Sequence, residues 1–282
     1  MLYISKLNNK IYENFQIGNS WLILPFIFLL TGFIVFYILY IEGGNFIDGY
    51  INSQKEVFLY WNSFLSNYSD VQINLTQLGD VLIVYAFLAV LLYYAPIFWE
   101  YLFTSSLLTL VVSAALKKIF AVPRPAAILD VDKFTVLGKT LTGHTSFPSG
   151  HSIVIFVVVT LLMIAFIPKK RFIKIIWGGS LIIAGLIISL SRVGVGAHYP
   201  MDIVFGGIVG FLVAIIGIIL TNKFRLLKRI KRVPFFVIIG LIIWGAVIVT
   251  KILDNNLPIF YLALISIIIT LVIFSREFFK KN

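Results

Sequence analysis

Eight long apolar runs, at residues 21–41, 81–98, 101–116, 152–167, 175–190, 203–220, 234–250 and 257–274, alternate with polar segments along the chain. Each is close to the about 20 helical residues that cross a hydrocarbon core of ~30 Å. A spanning segment has to satisfy its own backbone hydrogen bonds, so the runs predict helices. The expected fold class is all-α, a polytopic transmembrane helical bundle of about eight spans. The last two runs, joined by "KILDNN", predict a C-terminal hairpin with no ionisable residue in its apolar parts and a packing or lipid-contact role. The fourth run starts oddly: "SFPSGHSIVIF", Ser146 to Phe156, places Pro, Ser, Gly and His at the mouth of an apolar helix.

Two polar segments are long. In residues 42–80, Val57, Trp61, Phe64, Leu65 and Tyr68 share one helical face. That face predicts a helix lying in the membrane interface and guiding lipids, or a short helix packed on the bundle. Residues 117–151 open on "VPRPAAILDVD" and close on "LTGHTSFPSGH", whose prolines and glycines predict an ordered loop capping the fourth run. Basic residues concentrate at 169–174, 222–232 and the two termini, which marks those segments as cytoplasmic by the positive-inside rule.

Composition narrows the class. The chain is 60% hydrophobic and 12% charged, far from a soluble domain. Its formal charge of +11 follows the cytoplasmic segments, so no nucleic-acid partner is needed to explain it. With no cysteine, disulfides and thiolate chemistry are excluded, and three histidines without cysteine are a poor ligand set for zinc. Residues 1–20, with Lys6, Lys10 and Glu13, read as a polar cytoplasmic leader before a first run long enough to remain as an anchor. Richness in Lys, Ile and Asn suits an AT-rich bacterial genome, and hence a bacterial cytoplasmic membrane. No feature sets an oligomeric state.

Counting spans from a cytoplasmic N-terminus puts three polar groups on the outer face: Lys117, Lys118 and Arg124 after the third run, Ser149, Gly150 and His151 before the fourth, and Arg192, His198 and Asp202 between the fifth and sixth. Charges at the ends of apolar runs demand partners. Two Arg and a Lys, with backbone amides at a helix start, describe a phosphate cradle. His198 and Asp202 lie four apart around Pro200, so the carboxylate can orient the imidazole and stabilise its cation while the other ring nitrogen attacks phosphorus. His151 is the available acid for the leaving oxygen.

These residues form three ordered motifs: "KKIFAVPRP", "PSGH" and "SRVGVGAHYPMD". Together they resemble the type 2 phosphatidic acid phosphatase (PAP2) superfamily, in its membrane lipid phosphatase branch. The resemblance implies a six-helix catalytic core over about residues 21–220, followed by a basic loop and the extra hairpin in 221–282. It carries over Lys117, Arg124, Ser149, Gly150 and Arg192 as phosphate binders, His151 as general acid, His198 as nucleophile and Asp202 as its orienting partner. It further implies a phosphohistidine intermediate, with no metal and no cofactor.

The expected activity is hydrolysis of a lipid-linked phosphate monoester or diphosphate at the outer face of the membrane. Its partners are the bilayer and a lipid A, undecaprenyl diphosphate, phosphatidylglycerophosphate or phosphatidic acid substrate. The long 124–147 loop favours a bulky head group such as lipid A. Transfer of the phosphate to another lipid is an alternative, and a non-catalytic phosphate-lipid binding protein or transporter is the alternative from another class. Lys118 fits no motif spacing and reads as interfacial, His144 as a surface histidine, and Asp80 as a helix cap.

Overall fold

The computed structural model describes residues 2–224 and 234–279, and all regular structure among them is helical. An amphipathic helix α1 (Leu2–Asn14) and a 3-10 turn precede α2 (Ile23–Gly43). Four short helices follow, α3 (Phe46–Asn52), α4 (Lys55–Ser66), α5 (Ser69–Gln77) and α6 (Val81–Leu88), then a single turn α7 (Leu91–Tyr94). The long α8 (Pro96–Phe120) leads through a small α9 (Pro125–Ile128) and a loop to α10 (Gly150–Ala165). After it come α11 (Arg171–Gly194), α12 (Pro200–Phe224), α13 (Pro234–Asn255) and α14 (Pro258–Phe279). The basic segment 225–233 and residues 280–282 lie outside the described residues.

Five helices are long and apolar enough to cross a membrane alone: those containing α8, α11, α12, α13 and α14. Two bent pairs, Pro25–Ile41 with Phe46–Asn52 at 95° and Ser69–Gln77 with Val81–Leu88 at 74°, raise the total to seven if each counts as one span. Two predicted runs take another form. Residues 81–98 do not make one helix: α6 and α7 are separated by a turn, and the run breaks at Ala95 because Pro96 starts α8 at a position where its missing N–H is no loss. The fourth run is a helix of only 16 residues, bounded by Ser149 as N-cap and Phe166 as C-cap.

The buried α10 is the axis of the fold, contacting α8, α11 and α12. Its approach to α12 depends on small residues, as in other membrane helix pairs. A Cβ at Gly206 would lie 2.8 Å from Ser149 O, and one at Gly210 would lie 2.5 Å from Ile153 O. The leader is not a free tail. Ile11 and Phe15 of the leader are fully buried, and Asn14 donates to Ala165 O at the C-terminal end of α10. The N-terminal segment therefore lies at the end of the bundle opposite Ser149, Gly150 and His151.

α4 meets the bundle through buried Phe58 and Asn62, while Val57, Tyr60, Trp61, Phe64 and Tyr68 are exposed. Of the predicted face, Val57, Trp61, Phe64 and Tyr68 point outward, while Leu65 is half-buried against the cluster that contains Phe58. Asn62 ties the loop after α9 to α11: its side chain donates to Thr135 O and Val193 O at 2.9 Å each and accepts from Thr135 N at 2.8 Å.

Candidate active site

The three polar groups that span counting put on one face meet at one end of the bundle. α8 ends at Ala121 in the left-handed region (φ 44), releasing the chain just after Lys117. Arg124 follows, held by its own N–H to Gly143 O, and the loop returns with Ser146 N donating to Val122 O. Ser149 then caps α10, its hydroxyl accepting from Ser152 N at 3.4 Å. Its N–H donates at 3.0 Å to Asp202 O, fastening the start of α10 to the start of α12.

His198 and Asp202 form the centre. Asp202 is fully buried and its carboxylate accepts four hydrogen bonds. Oδ1 takes the Tyr50 hydroxyl at 2.5 Å. Oδ2 takes the Ser146 hydroxyl at 2.6 Å, the Tyr199 N–H at 2.9 Å and His198 Nδ1 at 3.1 Å. On the other side of the ring, Arg124 Nη1 lies 3.3 Å from His198 Nε2 and donates to Ala197 O at 3.0 Å. A guanidinium has no acceptor, so Nε2 must accept and the proton sits on Nδ1. That tautomer leaves the Nε2 lone pair on the side of the arginines, which is the arrangement a nucleophile needs.

His198 lies between two spanning helices and is 1% exposed. Burial first, then the positive charges of Arg192, Arg124 and Lys117, hold its pKa well below the ordinary imidazole value. It is therefore neutral at physiological pH. The cations surround the same point. Arg192, 8% exposed, anchors Nη1 on Thr76 Oγ1 at 2.6 Å and leaves Nε without a partner. Lys117 overlies the start of α10, since a Cβ at Gly150 would lie 3.3 Å from its Nζ. His151, in the first turn of α10, is close enough to Arg192, His198, Lys117 and Arg124 for each to act on its charge.

The sequence-predicted residues Lys117, Arg124, Ser149, Gly150, His151, Arg192, His198 and Asp202 are thus gathered into one site. Lys118 and His144 are exposed. Asp80 caps α6 through Leu82 N at 2.8 Å, as its position before an apolar run suggested. Residues 98–226 match the sequence profile of the PAP2 superfamily. The match covers a little under half of the chain. Every gathered residue falls inside it. Among solved structures, that of Aquifex aeolicus LpxE is similar at 27% identity over 58% of this chain and 93% of that chain, with a TM-score of 0.48. No curated protein matches at a significant level.

Several residues around the site lie outside the matched stretch or the motifs and were missed in the sequence. Tyr50 and Ser146 fix the carboxylate of Asp202, and Thr76 aims Arg192. Gly79 touches His151 so closely that a Cβ there would lie 2.6 Å from the histidine Cβ. Only Ser146 carried a signal, lying next to "PSGH". Next to the cluster is a cavity of about 510 Å³ between α6 and α8, lined by Val81, Tyr85 and Leu110 and ending at Lys117, Gly150 and His151.

Proposed function

We propose that the protein is an integral membrane phosphatase that releases phosphate from a lipid-linked monoester or diphosphate through a phosphohistidine on His198. The observation that carries this reading is the pairing of a neutral His198, its Nε2 lone pair unprotonated, with the guanidinium of Arg124 directly beside it. A neutral imidazole between cations is poised to attack an anionic phosphorus centre whose charge those cations neutralise.

In the proposed reaction, His198 Nε2 forms a bond to phosphorus as the bond to the leaving oxygen breaks. His151 gives that oxygen its proton. Asp202 stabilises the positive imidazole through Nδ1, and Lys117, Arg124, Arg192 and the amides of Gly150 and His151 hold the equatorial oxygens, while the Ser149 amide is spent on Asp202 O. Water then attacks the phosphohistidine, gives a proton to His151, and releases inorganic phosphate and neutral His198. These steps use the chain's own side chains and backbone amides, and the enzyme is proposed to be metal-independent.

The same reading places the catalytic core in residues 21–220 and the site on the outer face of a bacterial cytoplasmic membrane, with both termini inside. Two features support it. The leader and the site occupy opposite ends of the bundle, and the basic residues 169–174 follow the end of α10 that lies away from the site. A helix of 16 residues rises about 24 Å, short of the ~30 Å hydrocarbon core. The start of α10 would accordingly sit at the depth of a lipid phosphate, with the adjoining cavity taking the start of the apolar tail. Lipid A is the favoured substrate because residues 124–147 form a loop beside the site longer than the connection between α8 and α10 requires.

The test is phosphate release, with a chelator present, from lipid A, undecaprenyl diphosphate, phosphatidylglycerophosphate and phosphatidic acid by the purified protein and by His198→Asn. Release in chelator that the substitution abolishes supports the mechanism, and the rank of the four lipids decides the substrate. Equal turnover of all four sinks the lipid A preference. Phosphate that appears only on an added acceptor lipid identifies a phosphotransferase instead.

A further inference from the structure

The C-terminal hairpin of α13 and α14 lies outside the stretch that matches the PAP2 profile and outside the site, yet it packs on the wall of the lipid cavity. α6 supplies that wall. Val81 and Tyr85 face the cavity, and Tyr85 is bonded across it to Ser106 of α8 at 2.6 Å. The opposite face of α6 presents Ile83 and Ala86, both fully buried, to Leu241, Ile248, Phe260, Ala263 and Ile267 of the hairpin. An eight-residue helix rises only about 12 Å and does not hold its shape alone. Its position is set by what packs on its two faces.

Polar contacts repeat the pattern. Trp244 Nε1 donates to Leu82 O at 3.1 Å, Ser266 Oγ to Ala86 O at 2.7 Å, and Ile259 N to Asn74 Oδ1 of α5 at 3.2 Å. At the cavity mouth, Lys251 Nζ of α13 donates to Asp80 Oδ2 at 3.0 Å. Asp80 both lines the cavity and caps α6, and its neighbour Gly79 touches His151. One elbow of the chain, residues 78–80, therefore connects the hairpin, the cavity and the proposed acid.

We propose that the hairpin is the specificity element of the enzyme: by bracing α6 through the Lys251–Asp80 latch it fixes the width of the cavity and so selects long-chain lipid phosphates over short-chain ones. The proposal rests on the phosphatase reading above and on the cavity as the seat of the lipid tail. Lys251 is a positioning residue; it touches neither substrate nor the reacting atoms.

The test compares long-chain and short-chain phosphatidic acid as substrates for the full-length protein, with Lys251→Ala and Lys251→Arg beside the wild type. Lys251→Ala is expected to lower the ratio of long-chain to short-chain kcat/KM about threefold, through KM of the long-chain lipid, the scale of a partly exposed ion pair. Lys251→Arg keeps the charge and restores most of the ratio. A ratio unchanged in Lys251→Ala overturns the proposal, as does an equal fall on both substrates. A second readout is independent of turnover: phosphatidic acid with a photoreactive acyl chain should label α6 and α8, less so in Lys251→Ala. If the wild type hydrolyses neither lipid, phosphatidic acid is not its substrate, and the labelling alone decides the hairpin's role: unchanged labelling refutes it and reduced labelling upholds it.

Discussion

Tyr50→Phe removes a single buried oxygen. The ring of Tyr50 packs edge-on to Phe147 at 5.4 Å and Tyr199 at 6.4 Å, and phenylalanine keeps those contacts. The lost group is the donor to Asp202 Oδ1, while the donors to Oδ2 remain. A hydrogen bond to a charged acceptor contributes about 1.5–3 kcal/mol, and stranding a buried carboxylate oxygen costs on that order. If about 2 kcal/mol appeared entirely in the barrier, kcat would fall about 30-fold; part of it appears instead as lower stability, so a smaller fall is expected. KM should stay within about twofold, because Tyr50 acts through Asp202 and not on the substrate.

The pH profile gives the sharper readout. The rate needs neutral His198, so it falls as acid protonates the ring. Because burial and three cations depress the pKa of His198, the acid limb of the wild type lies below the ordinary ~6.5 of imidazole. Without the Tyr50 donor, Asp202 presents more of its charge to Nδ1–H, favours the imidazolium, and moves the acid limb of kcat/KM up in pH. Initial rates across pH 4 to 9 with one lipid phosphate measure both quantities. An unchanged kcat together with an unmoved acid limb would refute the role assigned to Tyr50.

Three further substitutions separate close alternatives. Thr76→Val removes the acceptor that aims Arg192 without changing side-chain size, and should lower kcat/KM about tenfold and weaken inhibition by inorganic phosphate. Lys117→Ala should cost more than tenfold in kcat/KM while Lys118→Ala, whose side chain is exposed, stays within about twofold; equal effects would contradict the cradle. Gly210→Ala forces a methyl against Ile153 O and should destabilise by about 1–3 kcal/mol in thermal unfolding, whereas Gly240→Ala, with nothing within 4 Å of the new methyl, should be neutral or stabilising.

The candidate site was readable in the sequence because the proposed chemistry calls for residue types at fixed local spacing. His198 and Asp202 are one helical turn apart, and Ser149, Gly150 and His151 are consecutive at a helix start. The rank of Lys117 over Lys118 followed from the same spacing. The supporting residues were not legible. Tyr50, Thr76 and Ser146 reach their partners across 152, 116 and 56 positions, and no local pattern records such a pairing. Each is an ordinary polar residue in a segment with several others.

Helix positions were legible to within a few residues, but their form was not always so. The run at 81–98 is apolar throughout, and hydrophobicity does not report the break at Ala95; the run was drawn straight through Pro96, which starts α8. The aromatic face of α4 illustrates a limit particular to membrane proteins. Lipid and protein core are both apolar, so periodicity finds the face without saying which of the two it meets; Asn62, buried and bonded to Thr135 of the loop after α9, marks the inward side. The glycines of α12 were readable in principle, since small residues four apart signal close helix approach.

The central claim is that phosphate passes through His198, and trapping that intermediate tests it most directly. A lipid substrate carrying radiolabelled phosphate would be mixed with the protein and quenched rapidly in base, which preserves phosphohistidine. The account predicts label on the peptide containing His198, stable in base and released in acid, and none in His198→Asn. Turnover without any label on that peptide, or label on another residue, would contradict it.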